Sequence, residues 1–184
     1  PTRRRPRSGP VKKVNLCDEG AHIMTESQLD ELFAALMVEG QWRPYPASTL
    51  RRQVDGWNFE DGIRTSPPKH LGFLSDLVAI LWAALQYRHG ESVIPMQMLL
   101  CLYTSSEDGC PDHRHATRQL TLSLGRQRCL KVDGYRYWMG HGDMVELDGQ
   151  YHGVPPSAPE DVYVGPRISI NLFYALRSLS LIHI

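Results

Sequence analysis

Two periodicities divide the chain. Over residues 25–39, TESQLDELFAALMVE, the apolar positions Leu29, Leu32, Phe33, Leu36 and Met37 recur at helical spacing on one face. Thr25 and Gln28 offer a capping box at the start, and Gly40 suits the stop. The same spacing predicts a second helix over about 71–88, with Leu74, Leu77, Val78, Leu81 and Leu85 on its buried face and Gly90 closing it. Between the helices, residues 41–70 are rich in Trp, Pro, Gly and Arg and predict irregular structure, with short strands near Leu50 to Val54.

After residue 90 the period shortens. Residues 97–103, QMLLCLY, read as a buried strand, and 118–124, RQLTLSL, alternate cleanly. RCLKV at 128–132, GDMVEL at 142–147 and PRISINLFY at 166–174 supply three more strands. Helices come first and strands later, without βαβ alternation. The fold class predicted is α+β, a β-sandwich or open barrel with the helices packed on one face. No internal repeat is visible.

Composition adds little except at the ends. The 184 residues suffice for one domain with a substantial core, and no apolar run suggests a bilayer span. Residues 1–13, PTRRRPRSGPVKK, hold six of the 20 Lys+Arg and no acid, leaving 14 basic against 20 acidic side chains elsewhere. This arm, taken as residues 1–15, is expected to be disordered. It suits a nucleic-acid contact, a nuclear-import signal or a plain solvated tail, and composition does not choose among them. The acidic body argues against a broad footprint for duplex DNA. Cys17, Cys101, Cys110 and Cys129 form no CxxC pair. Without a visible secretion signal they read as free thiols in a reducing, intracellular compartment.

Candidate chemistry centres on CPDHRHATRQLTLSLG, residues 110–125. On a strand, His113 and His115 would project to the same face. His152 follows the 142–147 strand and a turn; Cys110, His113 and His115 could together form a zinc-type site. In the last strand Arg167, Ser169 and Asn171 share one face, while Ile168, Ile170 and Leu172 take the other. An inward arginine needs a polar partner, and a bound carboxylate suits its fork. Trp57, Asn58 and Phe59 offer stacking for a flipped base or simple core packing, and packing is the expected role. His22, His70, His89 and His141 fall outside the pattern and are expected to be ordinary.

The order of a histidine pair, LSLG, GD…HGVPP and GPRIS resembles the iron(II)- and 2-oxoglutarate-dependent dioxygenases, and among them the AlkB-like branch. The resemblance covers residues 97–174, and the 25–39 helix and the 41–70 region suit the same family's N-terminal part. It implies a double-stranded β-helix (jelly-roll) core. It also implies Fe(II) held by His113, His115 and His152, and 2-oxoglutarate held by Arg167 and Ser169 with Tyr103 assisting. His152 and Arg167 are 15 residues apart, the separation the family uses. Two departures stand out. His115 occupies the place of the family's aspartate, and Asp112 would point to the opposite face. Phe173 stands where the nucleobase-repairing members carry a second arginine.

The expected function is therefore a 2-oxoglutarate-dependent dioxygenase that hydroxylates or demethylates its substrate, using oxygen. A modified nucleobase is the first substrate class; a protein side chain or small metabolite is the second. The alternative is a non-catalytic jelly-roll module that binds nucleic acid or protein, for which His115 is the best support. Residues 16–176 would form the domain, and 177–184 a tail the family does not need.

Overall fold

Thr25 begins helix α1 (Glu26–Glu39) as its pattern predicts. Its hydroxyl accepts from Gln28 N at 3.2 Å, and Gln28 Oε1 accepts from Thr25 N at 2.9 Å. Leu29 and Leu36 are fully buried, with Leu32 and Phe33 partly so. Met37, placed on the buried face by its spacing, is exposed instead, because only the Leu29–Leu36 stripe meets the sheet. The predicted second helix begins as a 3-10 turn, Lys69–Leu74, where Leu71 leaves helical geometry, and continues as α2 (Ser75–His89). Its five predicted core residues are all buried. This helical stretch, Lys69–His89, is also long and apolar enough to cross a membrane by length and composition alone. Its leucine face is spent on the protein core.

The computed structural model describes residues 10–18, 23–46, 49–59, 66–90, 93–157 and 165–177. Most of the basic arm, His22 and the tail from 178 lie outside them. Among the described residues there are eleven strands: β1 (Lys13–Asn15), β2 (Arg43–Pro44), β3 (Gln53–Asn58), β4 (Val93–Tyr103), β5 (Cys110–His113), β6 (Arg118–Gly125), β7 (Arg128–Val132), β8 (Tyr135–Met139), β9 (Asp143–Asp148), β10 (His152–Val154) and β11 (Arg167–Leu176). The end of the arm is thus not disordered. Lys13–Asn15 pairs with Asp143–Val145, and Lys13 Nζ meets Asp143 Oδ2 at 2.8 Å.

The strands form two antiparallel sheets facing one another, the predicted jelly roll of an α+β fold. The larger has the order β1-β9-β6-β11-β4-β3-β2, the smaller β5-β10-β7-β8. Non-consecutive neighbours such as β6, β11 and β4 are the crossovers that close a double-stranded β-helix. The region predicted as irregular contributes β3, which aligns along β4 with Val54 opposite Cys101 and Trp57 opposite Met98. Gly56 permits this approach: its φ is +148°, and a Cβ there would meet Met98 O at 2.1 Å. Trp57 and Phe59 pack into the core with ring centroids 6.1 Å apart, as their packing role requires.

Strand β11 separates two interiors. Ile168, Ile170, Leu172 and Tyr174 join Leu120, Leu122 and Leu124 of β6 under the helices. The alternate residues of both strands turn toward the smaller sheet, where Val145, Leu130 and Val132 pack. Strand alternation therefore assigns Arg167, Ser169, Asn171 and Phe173 to the space between the sheets.

Candidate metal centre and ligand cavity

That space holds a cavity of about 280 Å³, walled by the larger sheet on one side and by β5, β7 and β10 on the other. His113 ends β5, and His152 opens β10 directly opposite it. His115 does not sit on a strand, contrary to the spacing argument. It lies in the turn between β5 and β6, because the ladder with β10 stops at His113. The turn nonetheless brings its ring back. His113 Nε2 and His115 Nε2 are 3.0 Å apart, and the ligating nitrogens of all three histidines lie within 4.8 Å of one another.

The donor chemistry fits a divalent metal. Pro111 O lies 2.8 Å from His113 Nδ1, and Gln150 O lies 3.0 Å from His152 Nδ1. A carbonyl only accepts, so both Nδ1 atoms carry the proton and both Nε2 lone pairs face the cluster. Backbone carbonyls commonly orient metal-binding imidazoles in this way. Two nitrogens bound at about 2.1 Å and roughly a right angle would stand about 3.0 Å apart, which is the separation of His113 and His115. Burial, helped by the neighbouring His113 and His152, holds His115 down to about 4, and burial also lowers His152. Both rings are thus neutral near pH 7, the form in which an imidazole can bind a metal.

Asp112 points away from the cluster and pairs with Lys131 at 2.6 Å. Cys110 is no fourth member of the cluster: its Sγ lies 3.5 Å from the protonated Nδ1 of His113, and burial pushes the thiol up to about 11. Phe173 packs edge-on against His115, ring centroids 4.7 Å apart. His70 pairs with Asp55 at 2.9 Å, His89 with Glu146 at 2.7 Å, and His141 Nδ1 accepts from Gly125 N at 2.9 Å, so all three tie elements together.

Arg167 lies on the cavity's opposite wall, 1% exposed. Its Nε donates to Ser123 Oγ at 3.0 Å, and its Cζ sits 5.4 Å from the Tyr103 ring centroid. Both terminal nitrogens are buried without a hydrogen-bond partner among the described residues. Burial pulls the guanidinium below its ordinary range and pushes the Tyr103 phenol up. Tyr103 thus stays a protonated donor beside a cation that lacks an anion. Ser169 is two positions along β11, facing the same way, and Asn171 Nδ2 reaches its Oγ at 3.3 Å.

Two arginines near Tyr103 lie outside the sequence pattern, and one of them, Arg52, lines the cavity. Arg128 on β7 donates to Ser105 O at 2.9 Å and to Asp108 O, and its Cζ lies 5.3 Å from Tyr103, so Tyr103 is flanked by two guanidinium groups. Arg52, just before β3, stacks on Tyr45 at 4.0 Å to the ring centroid. Only the pairing of β3 with β4 brings Arg52 toward Tyr103, and no local motif announces it.

No family model matches the chain, and no curated protein matches it. Solved structures do. A prolyl-4-hydroxylase from Pseudomonas putida superposes with a TM-score of 0.60 at 13% identity, covering 91% of this chain and 94% of that one. An oxidoreductase of the 2OG-Fe(II) oxygenase family from Burkholderia pseudomallei gives 0.56 at 14% identity, covering 83% and 79%. EvdMO1 gives 0.54 at 17% identity, covering 90% of this chain and 47% of that one. At these identities the likeness is one of fold.

Proposed function

We propose that the chain is an iron(II)- and 2-oxoglutarate-dependent oxygenase. The observation that carries this reading is Arg167: a buried guanidinium with two unsatisfied terminal nitrogens, set across one cavity from three converging imidazoles. A buried cation lacking partners is costly, and a carboxylate that accepts both N–H groups relieves the cost. His113, His115 and His152 would hold the metal. Fe(II) bound there would supply the oxygen-activating chemistry. Two of the neighbouring structures, the prolyl-4-hydroxylase and the 2OG-Fe(II) oxygenase family oxidoreductase, share this fold, which supports the reading.

The chain's own residues have clear parts in this scheme. Ser123 fixes Arg167 at Nε and leaves its outer fork directed at a ligand. Tyr103 adds a phenolic O–H on the same wall, and Ser169 adds a hydroxyl. Pro111 and Gln150 hold two imidazoles in the ligating tautomer. All-imidazole ligation leaves the metal a full positive charge larger than a site with one carboxylate, which strengthens its pull on an anionic cosubstrate. The primary substrate is first assigned to modified nucleobases, on the AlkB-like order of motifs and the basic arm; a protein side chain or small metabolite is the second class.

The test is metal analysis of the purified protein, followed by an anaerobic 2-oxoglutarate titration and an assay of succinate release. One metal per chain and metal-dependent cosubstrate binding with turnover are expected. Binding of both without turnover would favour the non-catalytic module, for which the all-histidine set is the motive. Failure of 2-oxoglutarate to bind overturns the assignment.

A further inference from the structure

The cavity wall below Phe173 carries a polar chain whose hydrogen-bond polarity can be traced from end to end. Asn171 Nδ2 lies 3.0 Å from Leu99 O, a group that only accepts, so the Asn171 amide is fixed with Oδ1 on its other side. Thr121 Oγ1 and Gln119 Nε2 both reach that Oδ1, at 3.0 Å each. Gln119 Nε2 also donates to Thr121 Oγ1 at 2.7 Å. Both amide hydrogens of Gln119 are thereby used and its orientation is fixed. What remains is Gln119 Oε1, a buried acceptor with no hydrogen-bond partner among the described residues. Gln119 is 6% exposed and lines the cavity.

The location gives this acceptor a use. Gln119 pairs across the ladder with Phe173, the residue against which His115 packs. Arg167 pairs with Gly125, six residues farther along β6, roughly 20 Å at strand rise. The cosubstrate's anchor and Gln119 therefore mark opposite ends of one wall. Buried acceptors without partners are rare and costly, and a ligand donor is the natural remedy. The described lining also includes Arg52 and Arg167 and no carboxylate. That charge balance disfavours a cationic donor.

We infer that Gln119 is a specificity-determining residue that accepts a hydrogen bond from a neutral N–H or O–H group of the primary substrate, an amide, amino-heterocycle or hydroxyl. The inference rests on the oxygenase reading for calling this ligand the primary substrate. Thr121 and Asn171 act as positioning residues: their hydrogen bonds keep the acceptor turned toward the substrate.

The probes are isosteric pairs in which only the donor is replaced by methyl: benzamide with acetophenone, and phenol with toluene. Binding to the full chain loaded with nickel and 2-oxoglutarate is read by ligand-observed NMR and by the side-chain amide resonances of Gln119. At least one donor should bind about tenfold better than its methyl partner and shift those resonances; which pair does so separates amide from hydroxyl substrates. Gln119→Met, which keeps the volume and removes the acceptor, should abolish the preference and leave 2-oxoglutarate affinity unchanged. If Gln119→Met does not fold, Asn171→Leu, which releases the amide's orientation, and the wild-type resonances decide. Equal binding within both pairs, no detectable binding of either donor, or a preference that survives Gln119→Met overturns the inference. If 2-oxoglutarate fails to bind wild type, the oxygenase reading falls, and the donor preference can then be read on the metal-loaded protein alone.

Discussion

Phe173 meets His115 edge-to-face, with ring centroids 4.7 Å apart and an interplanar angle of 77°. Phe173 is thereby the wall that aims the one imidazole not held by a strand. Phe173→Ala should let that ring wander and lower metal affinity about three- to tenfold, the worth of roughly one aromatic pair. Isothermal titration with nickel measures this, and Phe173→Leu should fall between. Unchanged affinity in the alanine variant would mean that the turn alone positions His115.

His115 itself offers a sharper comparison. His115→Ala removes one of three donors and should weaken metal binding by at least about tenfold. His115→Asp should retain the metal, since a carboxylate is a competent third ligand, and should equal or exceed wild type in substrate-independent 2-oxoglutarate turnover. Metal affinity unaltered by the alanine change would show that His115 is not a ligand.

Arg167 is to be replaced by methionine as well as alanine, so that lost packing and lost charge can be told apart. Two charge-assisted hydrogen bonds of about 1.5–3 kcal/mol each predict a rise of at least about a hundredfold in the 2-oxoglutarate dissociation constant. Metal content should stay near wild type in both variants. Normal cosubstrate affinity in a folded Arg167→Met protein would remove the central argument for the assignment.

The metal-free protein should lose stability in mild acid. His115 titrates at about 4 in the fold against an ordinary 6.5. Between these values the unfolded chain takes the proton and the folded chain refuses it. Its contribution is therefore complete above about pH 6.5 and is lost as pH falls toward 4. Thermal melts of chelator-treated protein at pH 7, 6 and 5 should drop more steeply for wild type than for His115→Gln. Parallel curves would contradict the shift.

Gly56→Ala tests the sheet behind the site. A methyl at φ +148° and 2.1 Å from Met98 O cannot be accommodated without moving β3. A loss of at least about 2 kcal/mol in urea unfolding is expected. Because β3 carries Arg52 toward the cavity, 2-oxoglutarate affinity in whatever folds should also report the displacement.

Much of this was readable from local pattern. Thr25 and Gln28 announced α1, and the alternation in PRISINLFY told which residues of β11 face the cavity and which face the helices. Local pattern reached no further than neighbouring residues. It put His115 on a strand because spacing two implies a shared face, whereas the ladder ends at His113 and a turn returns the ring. It passed over β8, YRYWM, whose place is set by its pairing with β7. It gave no warning of Arg52, Arg128 or the Gln119 acceptor. Each of these acquires meaning from a distant partner, Tyr103 for the two arginines and the Asn171 amide for Gln119, and no single segment encodes those distances.

Every residue from Arg167 to Tyr174 is buried, yet successive residues answer to different masters. One set sits under the helices, where substitution costs folding. The other looks into the cavity, where substitution costs ligand. A saturation scan of this strand, scored once for abundance and once for cosubstrate capture, should therefore produce two interleaved combs offset by one tooth. A variant library built on abundance alone would pass over every second position of the strand and carry forward well-folded proteins that no longer hold their ligand.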